Sequence, residues 1–357
     1  MVQLHGKKWT RTQLGKYLGA PWQAGGIRSL RFVGGPEDGV EVIQFDTGTG
    51  LVFNALPSRG LDIASAKYAG ASLSFDLPSG EAHPANFDSD GLGWLKTFFG
   101  GLVTTCGLTW AGAPCVDQET PLGLHGRYSH LPARHLQIGD AWEGNERRLW
   151  ISGEMRECIL FGPNVVCCRT LSTWVGSNTI RIEDSIRNEA YTRTPHMFLY
   201  HINLGYPVLD EHTELLVNSR VTPRDDHAAV GLTECRRFET PKVGYQEKVY
   251  YHDVKADKNG FCHAALVNAK FNRGQGLGVL VSFRKKELFR FTQWKMMGAG
   301  EYVCGLEPCN CSVEGRDKDR REGKLPFLEP GEERNYLIEI SVLPDQKAIR
   351  AAHKLIG

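Results

Sequence analysis

A large antiparallel β-sandwich or barrel is the fold class this sequence predicts, and three observations predict it. Alternating runs of strand length fill most of the chain, convincing helical periodicity is scarce, and turn-forming glycine is in excess. Glycine accounts for 40 of 357 residues, roughly 11% against an average near 7%. No Gly-X-Y period exists, so the surplus belongs to turns and bulges rather than to a collagen-like helix.

The elements follow in chain order. Thr12 to Leu18 reads as a short helix capped by Thr10 or Thr12 and ended at Gly19. Strand patterns follow at Gly39 to Phe45 and Leu51 to Leu56, and Gly93 to Phe99 reads as a second short helix before Gly100-Gly101. Further strand patterns span Arg148–Glu154, Asn164–Trp174, Ser177–Ile186, Met197–Leu204, Leu215–Val217, Lys248–His252, His263–Val267, Leu277–Phe283 and Asn335–Val342. Val175-Gly176-Ser177-Asn178 and Pro330-Gly331-Glu332-Glu333 are turn clusters between such runs. Gln346 to Ile356 is a terminal helix, with Ile349, Ala352 and Leu355 at helical spacing. The mixed-charge run Gly315 to Lys324 reads as a solvated loop. No repeat or interior linker divides the chain. The expected organisation is an N-terminal extension over 1–34, one β domain over 35–345 and the helix over 346–357.

Composition narrows the function classes. Hydrophobic residues make up 41% of the chain, and at this length about three-quarters of the unfolded surface can be buried. Forty-two basic against 41 acidic side chains leave a net charge of +1, which argues against nucleic acid as a partner. No apolar stretch approaches the roughly 18 residues of a membrane span, and the first residues lack the apolar core of a signal peptide. The ten cysteines include the adjacent Cys167 and Cys168 and the closely spaced Cys309 and Cys311. Such spacing suits reduced thiols packed as small hydrophobes, and the expected location is the cytoplasm.

Familiar chemistry is missing. Gly274-Gln275-Gly276-Leu277-Gly278 lies between strand-like runs and reads as a hairpin turn, not a nucleotide loop. No phosphate-binding loop, nucleophile elbow or His-Glu-x-x-His motif occurs. Cys304, Cys309 and Cys311 lack the Cys-x-x-Cys clasp of a structural zinc site.

Four segments carry polar residues where a bland role is less comfortable. They are Leu56 to Ile63 with Arg59 and Asp62, Gly123-Leu124-His125-Gly126-Arg127, Leu199 to Pro207 with His201 and Asn203, and Tyr302 to Asn310 with Glu307. His201 and Asn203 share one face of a strand by the period-two rule. A buried carboxyl such as Glu307 has a raised pKa unless paired, and two histidines beside it would complete a general acid–base set near neutral pH. Taken singly, each residue is as readily a satisfied structural group, and Arg59 with Asp62 a plain ion pair.

In that order, Arg59-Gly60-Leu61-Asp62-Ile63, Leu124-His125-Gly126-Arg127, His201-Ile202-Asn203-Leu204-Gly205-Tyr206-Pro207 and Gly305-Leu306-Glu307-Pro308 resemble the aldose 1-epimerase (galactose mutarotase-like) superfamily. They are most similar to an uncharacterised branch of it. The resemblance spans roughly Gly35 to Val342. It implies a β-supersandwich with a sugar cleft and cofactor-free catalysis. In the mutarotases a Glu takes the anomeric proton and a His protonates the ring oxygen; by motif position these are Glu307 and His201. His125 would hold a hydroxyl or share the proton. Arg59 and Arg127 would fork onto hydroxyls or a carboxylate, with Asp62 and Asn203 in the same substrate set. Trp294 would pack on a sugar face.

The sequence departs from the mutarotases at Ile202, at Pro308-Cys309-Asn310 after the Glu, and at the substrate-binding Asp, for which Asn268 is the nearest candidate. Two other readings of the same cleft stay open. One is a metal-dependent isomerase, epimerase or lyase with His125, His201 and Glu307 as ligands; the other is a non-catalytic carbohydrate-binding protein. Gly60, Gly126, Gly205 and Gly305 are expected to let substrate approach the sheet. The sugar, whether neutral or acidic, and the oligomeric state are not specified.

Overall fold

Two large sheets carry the fold in the computed structural model, which describes residues 1–357. The first has eleven strands. Its path runs Ser219–Pro223, Lys248–Val254, Arg290–Gly298, Glu301–Cys309, Leu199–Leu204, Val103–Cys106, Asp62–Tyr68, Leu51–Leu56, Glu41–Asp46 and Gly26–Arg31, with Ala71–Ser72 paired beside Asp62–Tyr68. The second, of eight strands, runs Arg134–Glu143, Glu146–Cys158, Asn164–Trp174, Thr179–Asn188, Glu333–Leu343, Leu277–Arg284, Phe261–Asn268 and Thr213–Val217. The strands pair antiparallel, and the fold is the all-β, galactose mutarotase-like supersandwich.

Alternation along each strand explains the layering. In Glu146–Cys158, Leu149, Ile151 and Met155 turn inward, and opposite them Tyr200, Ile202 and Leu204 turn inward from Leu199–Leu204. These residues belong to one buried apolar cluster of 54 that fills the space between the sheets. Leu199–Leu204 is buried along its whole length, so its other face must be covered too. Loops and short turns bearing Trp94, Phe98 and Trp110 cover it and form a second, smaller apolar cluster with Leu199 and Cys309.

Several elements differ from their sequence patterns. The first helix is Arg11–Gly15, and its cap is Thr10, whose hydroxyl and Gln13 form a reciprocal capping box. Gly93–Thr97 is a 3-10 turn. The charged run expected as a loop contains the helix Arg316–Arg321, because Asp117 pairs with both Arg316 and Arg320 along one side of it. In the terminal helix Gln346–Ile356 the inward stripe is Ile349, Ala352 and Ile356, while Leu355 is exposed. A 3.6-residue turn carries position 356, not 355, back over 352. Gly26–Arg31 pairs with Glu41–Asp46 at the sheet edge, ahead of residue 35, and is too exposed to show apolar alternation.

A buried ionic cluster ties the sheets together. Arg169, on Asn164–Trp174, makes a forked contact to Asp184 at 2.8 Å through both Nε and Nη2. Its Nη1 reaches across the sandwich to Asp62 at 3.0 Å, Thr105 Oγ1 at 2.9 Å and the Gly60 carbonyl at 3.2 Å. Tyr200 donates to Asp184 at 2.6 Å, and the guanidinium also lies over the Tyr128 and Tyr200 rings. Arg169, Asp62 and Asp184 have no exposed side-chain surface. Burial pushes the Asp62 carboxyl up to about 6 against the opposing pull of Arg169.

Removing one member of a buried ion cluster leaves its partners charged and unpaired. Arg169→Met should therefore cost ~3–5 kcal/mol in urea unfolding at pH 7. The loss should shrink at pH 5, where Asp62 takes up a proton. An unchanged unfolding midpoint would show that the cluster is not a brace.

Candidate active site

The period-two rule that sends Tyr200 and Ile202 into the sandwich sends His201 and Asn203 to the opposite face. Strand register then sets their neighbours. Leu199 lies opposite Cys309, Ile202 opposite Leu306 and Asn203 opposite Gly305; the same register brings His201 across from Glu307. On the far side Glu307 faces Thr292, and Gly305 faces Trp294, which faces Val249. Adjacent strands thus lay His201, Glu307 and Thr292 in one row, with Asn203, Gly305, Trp294 and Val249 in the next.

A cavity of about 300 Å³ opens over these rows. Loop residues Trp94, Phe98, Leu124, Pro114 and Val313 form apolar walls, while His125, His201, Arg224, Glu247, Thr292 and Glu307 supply the polar groups. Gly305 is required by packing. A Cβ there would sit 2.7 Å from Glu307 Oε1 and 3.0 Å from the Trp294 Cβ.

The hydrogen bonds assign the protons. Asn203 Nδ2 donates to the carbonyls of Gly100 at 3.0 Å and His201 at 3.1 Å, leaving its Oδ1 to accept from His201 Nδ1. His201 Nε2 then carries the lone pair, and it lies 3.3 Å from Glu307 Oε1. Burial pushes the Glu307 carboxyl up to about 8, with the Glu247 charge adding to the rise and Arg224 opposing it. Burial lowers His201 to about 4, partly offset by Asn203. Between these values the pair holds one proton, which rests on Glu307.

His125 stands beside the pair, its ring 5.7 Å from that of His201 and perpendicular to it. Burial, then the nearby His201, lowers its pKa to about 3, so it is neutral. Its backbone has φ 58°, a left-handed conformation followed by another at Gly126, φ 80°. The turn is held by His125 N–H to the Gly112 carbonyl and Gly107 N–H to the His125 carbonyl. A Cβ on Gly126 would lie 2.4 Å from the Trp110 carbonyl oxygen, so this glycine serves the turn that aims His125. Trp294 closes the row: its indole donates to Glu247 at 2.7 Å, and its ring meets His201 edge-on at 5.3 Å.

Of the residues expected to touch substrate, His125, His201, Trp294 and Glu307 line the cavity, and Asn203 acts behind His201. Arg59 and Asp62 do not line it. Arg59 spends its guanidinium on the Ser129 carbonyl at 3.0 Å, the Ala82 carbonyl at 3.1 Å and His130 Nε2 at 2.9 Å. Asp62 faces the opposite side of the sheet, paired with Arg169. Arg127 is the residue before the 3-10 turn Tyr128–His130 and lies outside the cavity. Asn268 is buried on the second sheet, donating to Asp210 at 2.8 Å. Gly60 and Gly205 pack against Tyr128 and Phe75, so their small size serves chain packing.

Sequence reasoning missed Arg224, Glu247, Thr292 and Trp94. Thr292 was recoverable, since it shares the strand face of Trp294 two residues on. The other three carry no pattern that separates them from surface or core residues. No three His, Cys, Asp or Glu side chains converge in metal-ligand geometry, and this includes His125, His201 and Glu307. All ten cysteines are free thiols. No helix is long and apolar enough to cross a membrane.

Comparison with known proteins places the chain. It belongs to the family described as Domain of unknown function (DUF4432), whose family model matches residues 37–342. No curated protein matches it by sequence. Among solved structures, a Klebsiella pneumoniae protein provisionally named an aldose 1-epimerase is 24% identical, with a TM-score of 0.86 over 92% of this chain and 86% of that one. A galactose mutarotase-like protein from Clostridium acetobutylicum is 12% identical, with a TM-score of 0.58 over 88% of this chain and 98% of the other. The galactose 1-epimerase of Lactobacillus acidophilus is 11% identical, with a TM-score of 0.57 and the same coverages. At these identities the likeness is one of fold.

The raised Glu307 pKa has a cost in stability. A carboxyl titrating near 8 in the folded protein and near 4.5 unfolded loses folded-state stability as pH climbs from the lower value to the upper. Glu307→Gln removes that penalty. Its melting temperature should exceed wild type at pH 8, with a smaller gain at pH 5. An equal effect at both pH values would place the wild-type carboxyl near its ordinary pKa.

Proposed function

We propose that this member of the DUF4432 family is a cofactor-free aldose 1-epimerase acting on a free monosaccharide. The observation that carries the reading is the Glu307–His201 pair, with carboxyl and imidazole 3.3 Å apart on the floor of a cavity of about 300 Å³. That volume lies at the small end of ligand sites, which suits a single sugar ring. The fold, shared with proteins named for aldose 1-epimerisation, supports the same reading.

The chemistry needs one base and one acid, with no net change in protonation. Glu307, as carboxylate, takes the proton of the anomeric hydroxyl while His201, as imidazolium, gives one to the ring oxygen. The C1–O5 bond breaks with its electron pair going to O5, and a carbonyl forms at C1. Rotation about C1–C2 presents the other carbonyl face, and the reverse proton transfers close the opposite anomer. The Glu⁻/HisH⁺ pair holds as many protons as the neutral pair, so it is reached by one transfer along their contact. Asn203 keeps Nδ1 of His201 protonated and thereby reserves Nε2 for that exchange. Neutral His125 binds a hydroxyl, and Trp294 offers its ring to an apolar sugar face.

Anomer-exchange NMR across a panel of free sugars should show interconversion faster than buffer for at least one of them. Glu307→Gln should abolish that rate while the fold persists; buffer rates throughout the panel would refute the proposal. The active form is the singly protonated pair. The kcat/KM profile should therefore be flat between about 4 and 8 and fall on both sides. Gly305→Ala should lower kcat by pushing the Glu307 carboxylate from its place, with circular dichroism unchanged. Wild-type kcat in that variant would mean the carboxylate position is not critical.

A further inference from the structure

Arg224 is the only cationic side chain lining the cavity, and its charge is already paired with two carboxylates. Its Nε pairs with Asp225 at 3.1 Å and its Nη1 with Glu247 at 3.2 Å. Glu247 is held from both ends: Oε1 takes Arg224, and Oε2 takes the Trp294 indole at 2.7 Å. An exposed Arg–Glu pair by itself contributes little to stability. This one differs because its second carboxylate oxygen fixes a ring of the cavity wall, which in turn meets His201 at 5.3 Å.

Resting on the anomerase reading, we propose that Glu247 is the specificity-determining residue of the cavity. By capturing Arg224 it closes the site's one cation to acidic ligands and selects neutral sugars. The remaining charged or titratable lining groups are Glu307, His125 and His201, and none supplies a standing positive charge. A sugar carboxylate entering the cavity meets the Glu247 charge, and the cation beside it is already balanced by Glu247 and Asp225. Like-charge approach there opposes binding of an acidic ligand. The carboxylate of Glu247 still has lone pairs to accept from neutral hydroxyls, so the group that repels a uronate can orient a neutral sugar.

The arrangement predicts a switch. Glu247→Gln keeps the shape and the contact to Trp294 but removes the charge, leaving Nη1 and Nη2 of Arg224 to fork onto a carboxylate while Nε stays on Asp225. The test compares matched pairs, D-galactose with D-galacturonate and D-glucose with D-glucuronate, by anomer-exchange rate and by equilibrium binding in saturation-transfer difference NMR. Wild type should favour each neutral sugar. In Glu247→Gln the uronate-to-neutral ratio of kcat/KM, and of affinity, should rise at least ~10-fold. The double variant Arg224→Gln/Glu247→Gln should lose that gain, since the liberated cation is gone.

A wild type that handles uronates as well as neutral sugars, or a ratio unmoved by Glu247→Gln, overturns the proposal. If wild type binds neutral sugars selectively and the ratio shifts on substitution but no anomer exchange occurs, the specificity assignment stands and the anomerase reading falls. If neither class of sugar binds, both fall.

Discussion

The structure depends on a cation buried between two sheets. Arg169 comes from the second sheet and is shared between Asp184 of its own sheet and Asp62 of the first. Charges so far from water are stable only when each finds a partner and its remaining donors are filled. Here the partners lie on opposite layers, so meeting that condition holds the layers in one registration. Tyr200 joins through Asp184, and Tyr200 is the immediate neighbour of His201. The strand bearing the candidate acid is thus pinned from behind by the same cluster that joins the sheets.

The second determinant is burial on both faces of the central strands. Even-numbered positions of Leu199–Leu204 enter the core between the sheets, and on the other face His201 enters a pocket walled by Trp94, Phe98 and Leu124. The apolar walls leave the carboxyl of Glu307 and the imidazole of His201 poorly solvated, which raises one pKa and lowers the other. Their neutral, one-proton state follows from the environment rather than from a strong ion pair. The same walls strengthen any charge that remains, which is why the orientation of Glu247 and Arg224 matters to what can enter.

Much of the fold was legible because alternation survives in strands with one or two buried faces. Asn164–Trp174 and Leu51–Leu56 begin and end where their patterns do. Asp62–Tyr68, Val103–Cys106, Arg134–Glu143, Ser219–Pro223, Arg290–Gly298 and Gly26–Arg31 were not read as strands; the last is an exposed edge strand with no apolar face to display. At the site, His125, His201, Asn203, Trp294 and Glu307 were readable as polar or aromatic residues set in apolar strands and glycine turns. Arg59 and Asp62 looked equally functional, because a motif records that a polar residue is needed and not which face of the sheet needs it. The demand in their case comes from folding: Arg59 satisfies loop carbonyls and His130, and Asp62 neutralises Arg169.

Local sequence thus determined the all-β class, seven of the eight strands of the second sheet and the residue types of the candidate acid–base pair. Those properties arise from side-chain periodicity and from neighbours within a few positions. The tertiary structure alone decided that His201 and Glu307, more than a hundred residues apart, lie in contact. It also decided that Arg224 and Glu247 share their cavity and that Arg59 and Asp62 do not. Strand order and register carry that information, and both are set by which distant faces bury each other, a property no single stretch of the chain contains.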